Sequence, residues 1–107
     1  MPISWKQLKE SGFPLDDYDK DISIGEHELI VDGACYSKSS QGGSGIHIFA
    51  RHWETGKKYW CYVHYLADHS SYVAAKAVSE GRRIRILVEL GRNGRGLVRA
   101  VNESVLS

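Results

Sequence analysis

Aromatic and basic side chains alternate along two neighbouring stretches of this 107-residue chain. The stretches are residues 45–53 and 58–66, and they flank a predicted turn at Thr55-Gly56. Successive side chains of a strand point to opposite faces. A hairpin therefore places eight of these side chains on one face: His47, Phe49, Arg51, Trp53, Lys58, Trp60, Tyr62 and His64. Flat rings beside cations are the groups that bind single-stranded nucleic acid, because rings stack on bases and cations neutralise phosphates.

The predicted turn also fixes a register for this hairpin. If Glu54 pairs with Lys57, the cross-strand pairs are Trp53–Lys58, Arg51–Trp60, Phe49–Tyr62 and His47–His64. The opposite face then carries mostly apolar side chains: Ile46, Ile48, Ala50, Cys61, Val63 and Tyr65. A sheet normally buries such a face, so we expect the aromatic and basic face to lie outside.

A second group of basic residues follows near the end of the chain: Arg82, Arg83, Arg85, Arg92, Arg95 and Arg99. Arg92 and Arg95 flank Asn93-Gly94, which is a strong signal for a tight hairpin turn. The planar guanidinium group matches the geometry of phosphate oxygens. We therefore expect Arg92 and Arg95 to extend the nucleic-acid-binding surface, although arginines on an edge strand also serve to prevent aggregation.

The first half of the chain predicts a short helix followed by a long strand. Ser4 and Gln7 have the spacing of a capping box, which predicts a helix over about residues 5–10. Residues 22–38 form one extended stretch. Two glycines interrupt this stretch and predict bulges or sharp bends: Gly25 and Gly33.

The second half predicts a helix and a final hairpin. The helix is capped at Asp68 or Ser70 and ends at Gly81, and strands follow over residues 83–90 and 96–101. The chain is therefore expected to be mainly β, with one or two short helices in the order β-β-β-α-β-β after the N-terminal helix. That order is the order of the OB-fold, a five-stranded Greek-key β-barrel that binds oligonucleotides on strands 2 and 3.

The charge distribution divides the chain in two. Residues 1–32 carry eight acidic side chains against three lysines, whereas residues 33–107 carry eleven Lys or Arg against five acids. We expect residues 1–21 to form a short helix and an acidic segment, and residues 22–107 to form the OB-fold-like barrel. The acidic segment is either a solvated tail or a cover that competes with an anionic ligand for the basic surface.

The aromatic face has two further interpretations. It can be a protein interface, for dimerisation or for inhibition of a partner protein, because Trp, Tyr, Phe and Arg are also enriched in interfaces. Alternatively, side chains of the N-terminal segment can pack on it and make it ordinary core: Trp5, Phe13 and Leu15. Binding of single-stranded DNA or RNA without strong sequence preference is the function that the sequence favours.

Other functions lack a pattern in this chain. No apolar run approaches the roughly 20 residues that span a membrane, and residues 1–6 do not have the layout of a signal peptide, so we expect a cytoplasmic protein without a membrane partner. His47 and His64 are the only histidines expected to pair on one face, and zinc needs further ligands. Cys35 and Cys61 have no evident catalytic base. We therefore predict no metal, no cofactor and no enzymatic activity.

Overall fold

The computed structural model of the protein describes residues 3–37, 45–64, 80–90 and 96–103. The predicted helix between Asp68 and Gly81 lies outside these residues, apart from Glu80 and Gly81 at its end. The predicted turn at Asn93-Gly94 also lies outside them, and so do Arg92 and Arg95 at its ends.

The described part of the chain is mainly β. Its elements are α1 (Trp5–Glu10), a 3-10 turn (Leu15–Asp17), β1 (Gly25–Tyr36), β2 (Gly45–His52), β3 (Lys58–His64), β4 (Arg83–Leu90) and β5 (Gly96–Glu103). Within the described residues the strands form one antiparallel sheet in the order β3-β2-β1-β4-β5. The sheet is curled, so that Cα atoms of β3 and β5, the strands at its two ends, come within 8 Å of each other. No described helix is long and apolar enough to cross a membrane.

Strand β1 is the centre of the sheet and is shared by two neighbours. Its residues 25–30 pair with β4 and its residues 29–36 pair with β2. The register shifts between Val31 and Gly33, which confirms the bulge predicted at Gly33. The extra residue inverts the alternation of side chains. Val31 therefore points into the curl of the sheet, whereas Cys35 lies on the outer face.

The inner face of the curled sheet forms the main hydrophobic core. Its buried members come from four strands: Leu29, Val31, Ile46, Ile48, Ala50, Cys61, Val63, Ile84, Ile86 and Val88. The prediction for the inner face of the hairpin is therefore confirmed, apart from Tyr65, which lies outside the described residues. The alternating apolar side chains of β4 complete the same layer: Ile84, Ile86 and Val88.

Helix α1 begins as its capping box predicts. The Ser4 hydroxyl accepts a hydrogen bond from the Gln7 backbone N–H at 3.1 Å, and the Gln7 side chain accepts one from the Ser4 N–H at 3.0 Å. The two bonds satisfy backbone donors that a helix start would otherwise leave unpaired. The helix ends before Gly12, which adopts a left-handed backbone conformation with φ of 81°.

Residues 3–21, the N-terminal segment, cross the outer face of the sheet from one side to the other. At one end Ile3 forms a parallel bridge to Cys35 of β1, and at the other Asp19 forms one to Tyr59 of β3. Backbone hydrogen bonds of 2.8–3.2 Å hold both bridges. The segment is thus fastened at both sides of the three-stranded region that it covers.

Candidate functional site

The register of the β2–β3 hairpin differs by two residues from the prediction, which was wrong on this point. The His52 N–H donates to the Lys57 carbonyl at 2.8 Å, so that Trp53 leaves the strand and enters the turn. Gly56 closes the turn with φ of 74°. The observed pairs are Arg51–Lys58, Phe49–Trp60, His47–Tyr62 and Gly45–His64. Because the shift is an even number of residues, the described side chains that remain in the two strands keep their predicted faces.

One half of the outer face, the covered half, is ordinary core beneath the N-terminal segment. Phe49 is fully buried there and has an exposed fraction of 0%. Its ring centroid lies 5.2 Å from that of Phe13, 5.4 Å from that of Tyr18 and 4.9 Å from that of Trp60. The other members of the cluster are Trp5, Leu8, Leu15 and Cys35. For this half, the interpretation that side chains of the N-terminal segment pack on the face is therefore correct. The Phe49 ring offers no face on which a base can stack.

Three other residues of the predicted site lie at the margin of the covered half. The Trp60 indole N–H donates to Nδ1 of His47 at 2.9 Å, and the ring of Tyr62 lies 4.7 Å from that of His47. Trp5 packs 5.9 Å from Trp60, and the ammonium group of Lys20 lies 4.2 Å from the Trp60 ring. All three predicted residues are half-buried, and the N-terminal segment already uses the Trp60 ring for a cation–π contact.

The other half of the outer face, the uncovered half, carries a row of cations in which Arg51 and Lys58 are exposed. The ammonium group of Lys58 lies 5.6 Å from the Tyr18 ring, at the edge of the N-terminal segment. Arg83, Ile30, Arg51 and Lys58 are Cα partners on successive strands from β4 to β3. Directly paired residues of an antiparallel sheet point to the same face. With neighbouring strands about 4.8 Å apart, the row extends over about 14 Å. We call the cations of this row, together with Arg85, the cationic strip.

Trp53 stands beside the cationic strip. It is 45% exposed and is the most exposed aromatic side chain of the described residues. The guanidinium carbon of Arg83 lies 4.3 Å from its ring centroid. Such a contact is a cation–π interaction, and it orients the ring while leaving part of it in solvent.

Glu28 of β1 holds the arginines at one end of the strip. Its two carboxylate oxygens accept hydrogen bonds from Arg83 at 2.5 Å and from Arg85 at 2.8 Å. The bond from Arg85, followed by the bond from Arg83, holds the pKa of Glu28 below its ordinary value, and the same contact raises the pKa of Arg85. One carboxylate thus positions two guanidinium groups without neutralising both.

Asp32, in the bulge of β1, holds the middle of the strip. One of its oxygens accepts a hydrogen bond from the Arg51 guanidinium, and the other accepts one from the Tyr18 hydroxyl at 2.7 Å. Burial, followed by the bond to Asp32, raises the pKa of Tyr18 well above its ordinary range. Two carboxylates, Glu28 and Asp32, form ion pairs with three of the four cations of the strip. A third carboxylate, that of Glu26, contributes to the raised pKa of Arg85.

The remaining predicted residues divide into two groups. His64 lies in β3 opposite Gly45, whereas Arg92 and Arg95 lie outside the described residues. The sequence reasoning missed Glu28 and Asp32 as partners of the cations, because neither acid is near its arginine in sequence. Among the described residues, no group of three or more His, Cys, Asp or Glu side chains is arranged to hold a metal ion.

Comparisons of the chain with protein-family models, with curated proteins and with solved structures find no match.

Proposed function

We propose that the protein binds single-stranded DNA or RNA on the uncovered half of its outer face. The observation that carries the proposal is the row of Arg83, Arg51 and Lys58 across the sheet, beside the exposed ring of Trp53. The cations bind backbone phosphates, and the ring stacks on a base. Every base has a flat face, so binding of this kind has little sequence preference.

The spacing of the cations suits a flexible polyanion. Arg51 and Lys58 are on adjacent strands, about 5 Å apart, and Arg83 is two strands from Arg51, about 10 Å away. Each phosphate that is neutralised releases counterions, and for single strands the logarithm of the binding constant falls by about 0.7 per phosphate for each tenfold rise in salt. If the three cations of the row each bind one phosphate, the slope is about −2.

We also propose that the chain forms a complete OB-fold-like barrel. Strand β1 pairs with both β2 and β4, and β3 approaches β5 across the curl, which supports a closed OB-fold-like barrel with five strands in a Greek key. OB-folds bind oligonucleotides on the face of strands 2 and 3. In this chain the N-terminal segment occupies part of that face, so the proposed site is its free remainder together with the neighbouring part of β4.

The test is fluorescence anisotropy of a labelled, unstructured oligonucleotide titrated with protein at low and moderate salt. A base–aromatic stack contributes about 1–3 kcal/mol, so Trp53→Ala is expected to weaken binding by about 5- to 150-fold. The matched control is Ile24→Ala, which removes another exposed apolar side chain outside the strip. Equal affinities of these two variants would contradict the stacking role of Trp53.

The cationic strip has its own test in the same assay. Lys58→Gln is expected to weaken binding and to reduce the salt slope by about 0.7. Lys6→Gln removes an exposed cation of α1, outside the strip, and is expected to leave the slope unchanged. Absence of binding by the wild-type protein at low salt would refute the proposal. If the protein instead self-associates in a concentration-dependent and salt-tolerant manner, the strip is a protein interface and the nucleic-acid proposal is wrong.

A further inference from the structure

We propose that Asp32 is an internal competitor of the ligand, which sets the affinity of the cationic strip by occupying Arg51. The inference rests on the proposed function for the identity of the ligand, a phosphate of a single strand. Arg51 is the central cation of the row, between Arg83 and Lys58. The Arg51 guanidinium group, which a phosphate at this position would bind, already forms an ion pair with the Asp32 carboxylate.

The position of Asp32 makes it a persistent competitor. Its side chain is 17% exposed, whereas the Arg51 side chain is 45% exposed, so solvent reaches the arginine more readily than the carboxylate. The hydroxyl group of Tyr18, which is 8% exposed, donates a hydrogen bond to the second carboxylate oxygen of Asp32. The Tyr18 ring packs on Phe49 at 5.4 Å. The carboxylate is therefore fixed by the covered half of the face, and Arg51 is the partner that is free to turn towards a ligand.

A phosphate that captures Arg51 must also lie close to the Asp32 charge. Two like charges about 5 Å apart in a water-like environment repel enough to reduce affinity by about fourfold. The loss of the ion pair between Arg51 and Asp32 adds to this reduction, although exposed pairs are individually weak. Removal of the negative charge at Asp32 is therefore expected to tighten binding, in contrast to the weakening that most substitutions at a binding surface cause.

The test compares four variants for binding of the same labelled oligonucleotide at low salt. Asp32→Asn keeps an acceptor oxygen for the Tyr18 hydroxyl and removes the charge, and we expect binding about three- to tenfold tighter. Asp16→Asn is the matched control, since it removes an exposed carboxylate of the N-terminal segment and leaves the ion pair between Arg51 and Asp32 intact. We expect a change of less than twofold for this control.

A structural role of Asp32 makes a different prediction. Tyr18→Phe removes the hydrogen bond between Asp32 and the N-terminal segment, which Asp32→Asn retains, and it leaves the carboxylate charged. If loosening of the segment were the cause of tighter binding, this variant would also bind more tightly, whereas competition for Arg51 predicts affinity that is equal to or lower than that of the wild type. Hydrogen exchange at the Trp60 amide, which donates to the Asp19 carbonyl at 2.8 Å, reports independently whether the segment remains in place.

The outcomes separate this inference from the proposed function. If the wild type binds and Asp32→Asn binds no more tightly than Asp16→Asn, the competition is refuted while the proposed function stands. If neither the wild type nor Asp32→Asn binds at low salt, the proposed function fails and the inference fails with it. Asp32→Ser, a neutral side chain with a short hydroxyl group, provides a second variant at the bulge should Asp32→Asn not fold, and it is expected to shift affinity in the same direction.

Discussion

Replacement of Phe49 by alanine separates the two halves of the outer face most sharply. The Phe49 ring is fully buried between the sheet and the N-terminal segment, with three aromatic rings at centroid distances of 4.9–5.4 Å. Truncation of a buried phenylalanine to alanine costs about 3–5 kcal/mol, from the lost transfer energy and the cavity that remains. A domain of this size has a free energy of unfolding of about 5–15 kcal/mol, so Phe49→Ala is expected to remove a large part of it.

Urea denaturation followed by far-UV circular dichroism measures this loss. With a denaturant dependence of about 2 kcal/mol per molar urea, the midpoint is expected to fall by about 2 M. Trp53→Ala is the control, because Trp53 is the exposed aromatic of the same predicted face, and its midpoint is expected to change by less than about 0.5 M. A loss below about 1 kcal/mol for Phe49→Ala would refute the reasoning, since the ring would then not be enclosed by the N-terminal segment.

Two further predictions concern ionisable groups. Burial raises the pKa of Cys35 to about 11 and that of Cys61 to about 12. At about pH 8, therefore, neither thiol should react with a disulfide reagent until guanidinium chloride unfolds the protein. Stoichiometric labelling of the native protein within minutes would contradict their burial. The bonds from Arg85 and Arg83 lower the pKa of Glu28, so its contribution to stability is present above the ordinary carboxyl pKa and is lost as the pH falls through the lowered value. The stability difference between wild type and Glu28→Gln, from urea midpoints, should therefore shrink between about pH 6 and about pH 3, and a constant difference would show that the ion pairs do not stabilise the fold.

Local patterns in the sequence were sufficient for helix α1, for the approximate positions of the strands that the structure describes, and for the inner core. The spacing of Ser4 and Gln7 predicted helix α1, and the alternation that includes Ile46 and Ile48 predicted which face of the hairpin is buried. Both signals operate over a few residues, where backbone geometry and side-chain period decide the outcome. The bulge at Gly33 was also predicted, since a glycine within a strand pattern marks a local irregularity.

The hairpin register and the cover of the outer face required information that no local pattern contains. A shift of two residues preserves the alternation, so the pattern could not distinguish Phe49–Trp60 from Phe49–Tyr62. The apolar side chains of Trp5, Phe13 and Leu15 made packing of the N-terminal segment on this face one alternative among three. The choice between these alternatives depends on backbone bridges such as that between Asp19 and Tyr59. Backbone bridges have no side-chain signature in the sequence.

The cationic strip could not be predicted for a related reason. Arg83, Arg51 and Lys58 become neighbours only when the order of four strands and the register of three strand pairs are known. The same holds for Glu28 and its two arginines, which are 55 and 57 residues away in sequence. Composition indicated that a basic surface exists, whereas its shape and its carboxylate partners follow from the assembled sheet.

The indole N–H resonances of the three tryptophans provide the most direct test of the central claim, that ligand binds the uncovered half of the outer face. The chain contains Trp5, Trp53 and Trp60, so a nitrogen–proton correlation spectrum follows each half of the face separately during titration with an unstructured single-stranded oligonucleotide. We predict that the Trp53 resonance shifts. The resonances of Trp60 and of Trp5, which packs on Trp60 from the N-terminal segment, are expected to shift much less. Movement of the Trp5 and Trp60 resonances with Trp53 unchanged would contradict the account, and so would the absence of any shift at low salt.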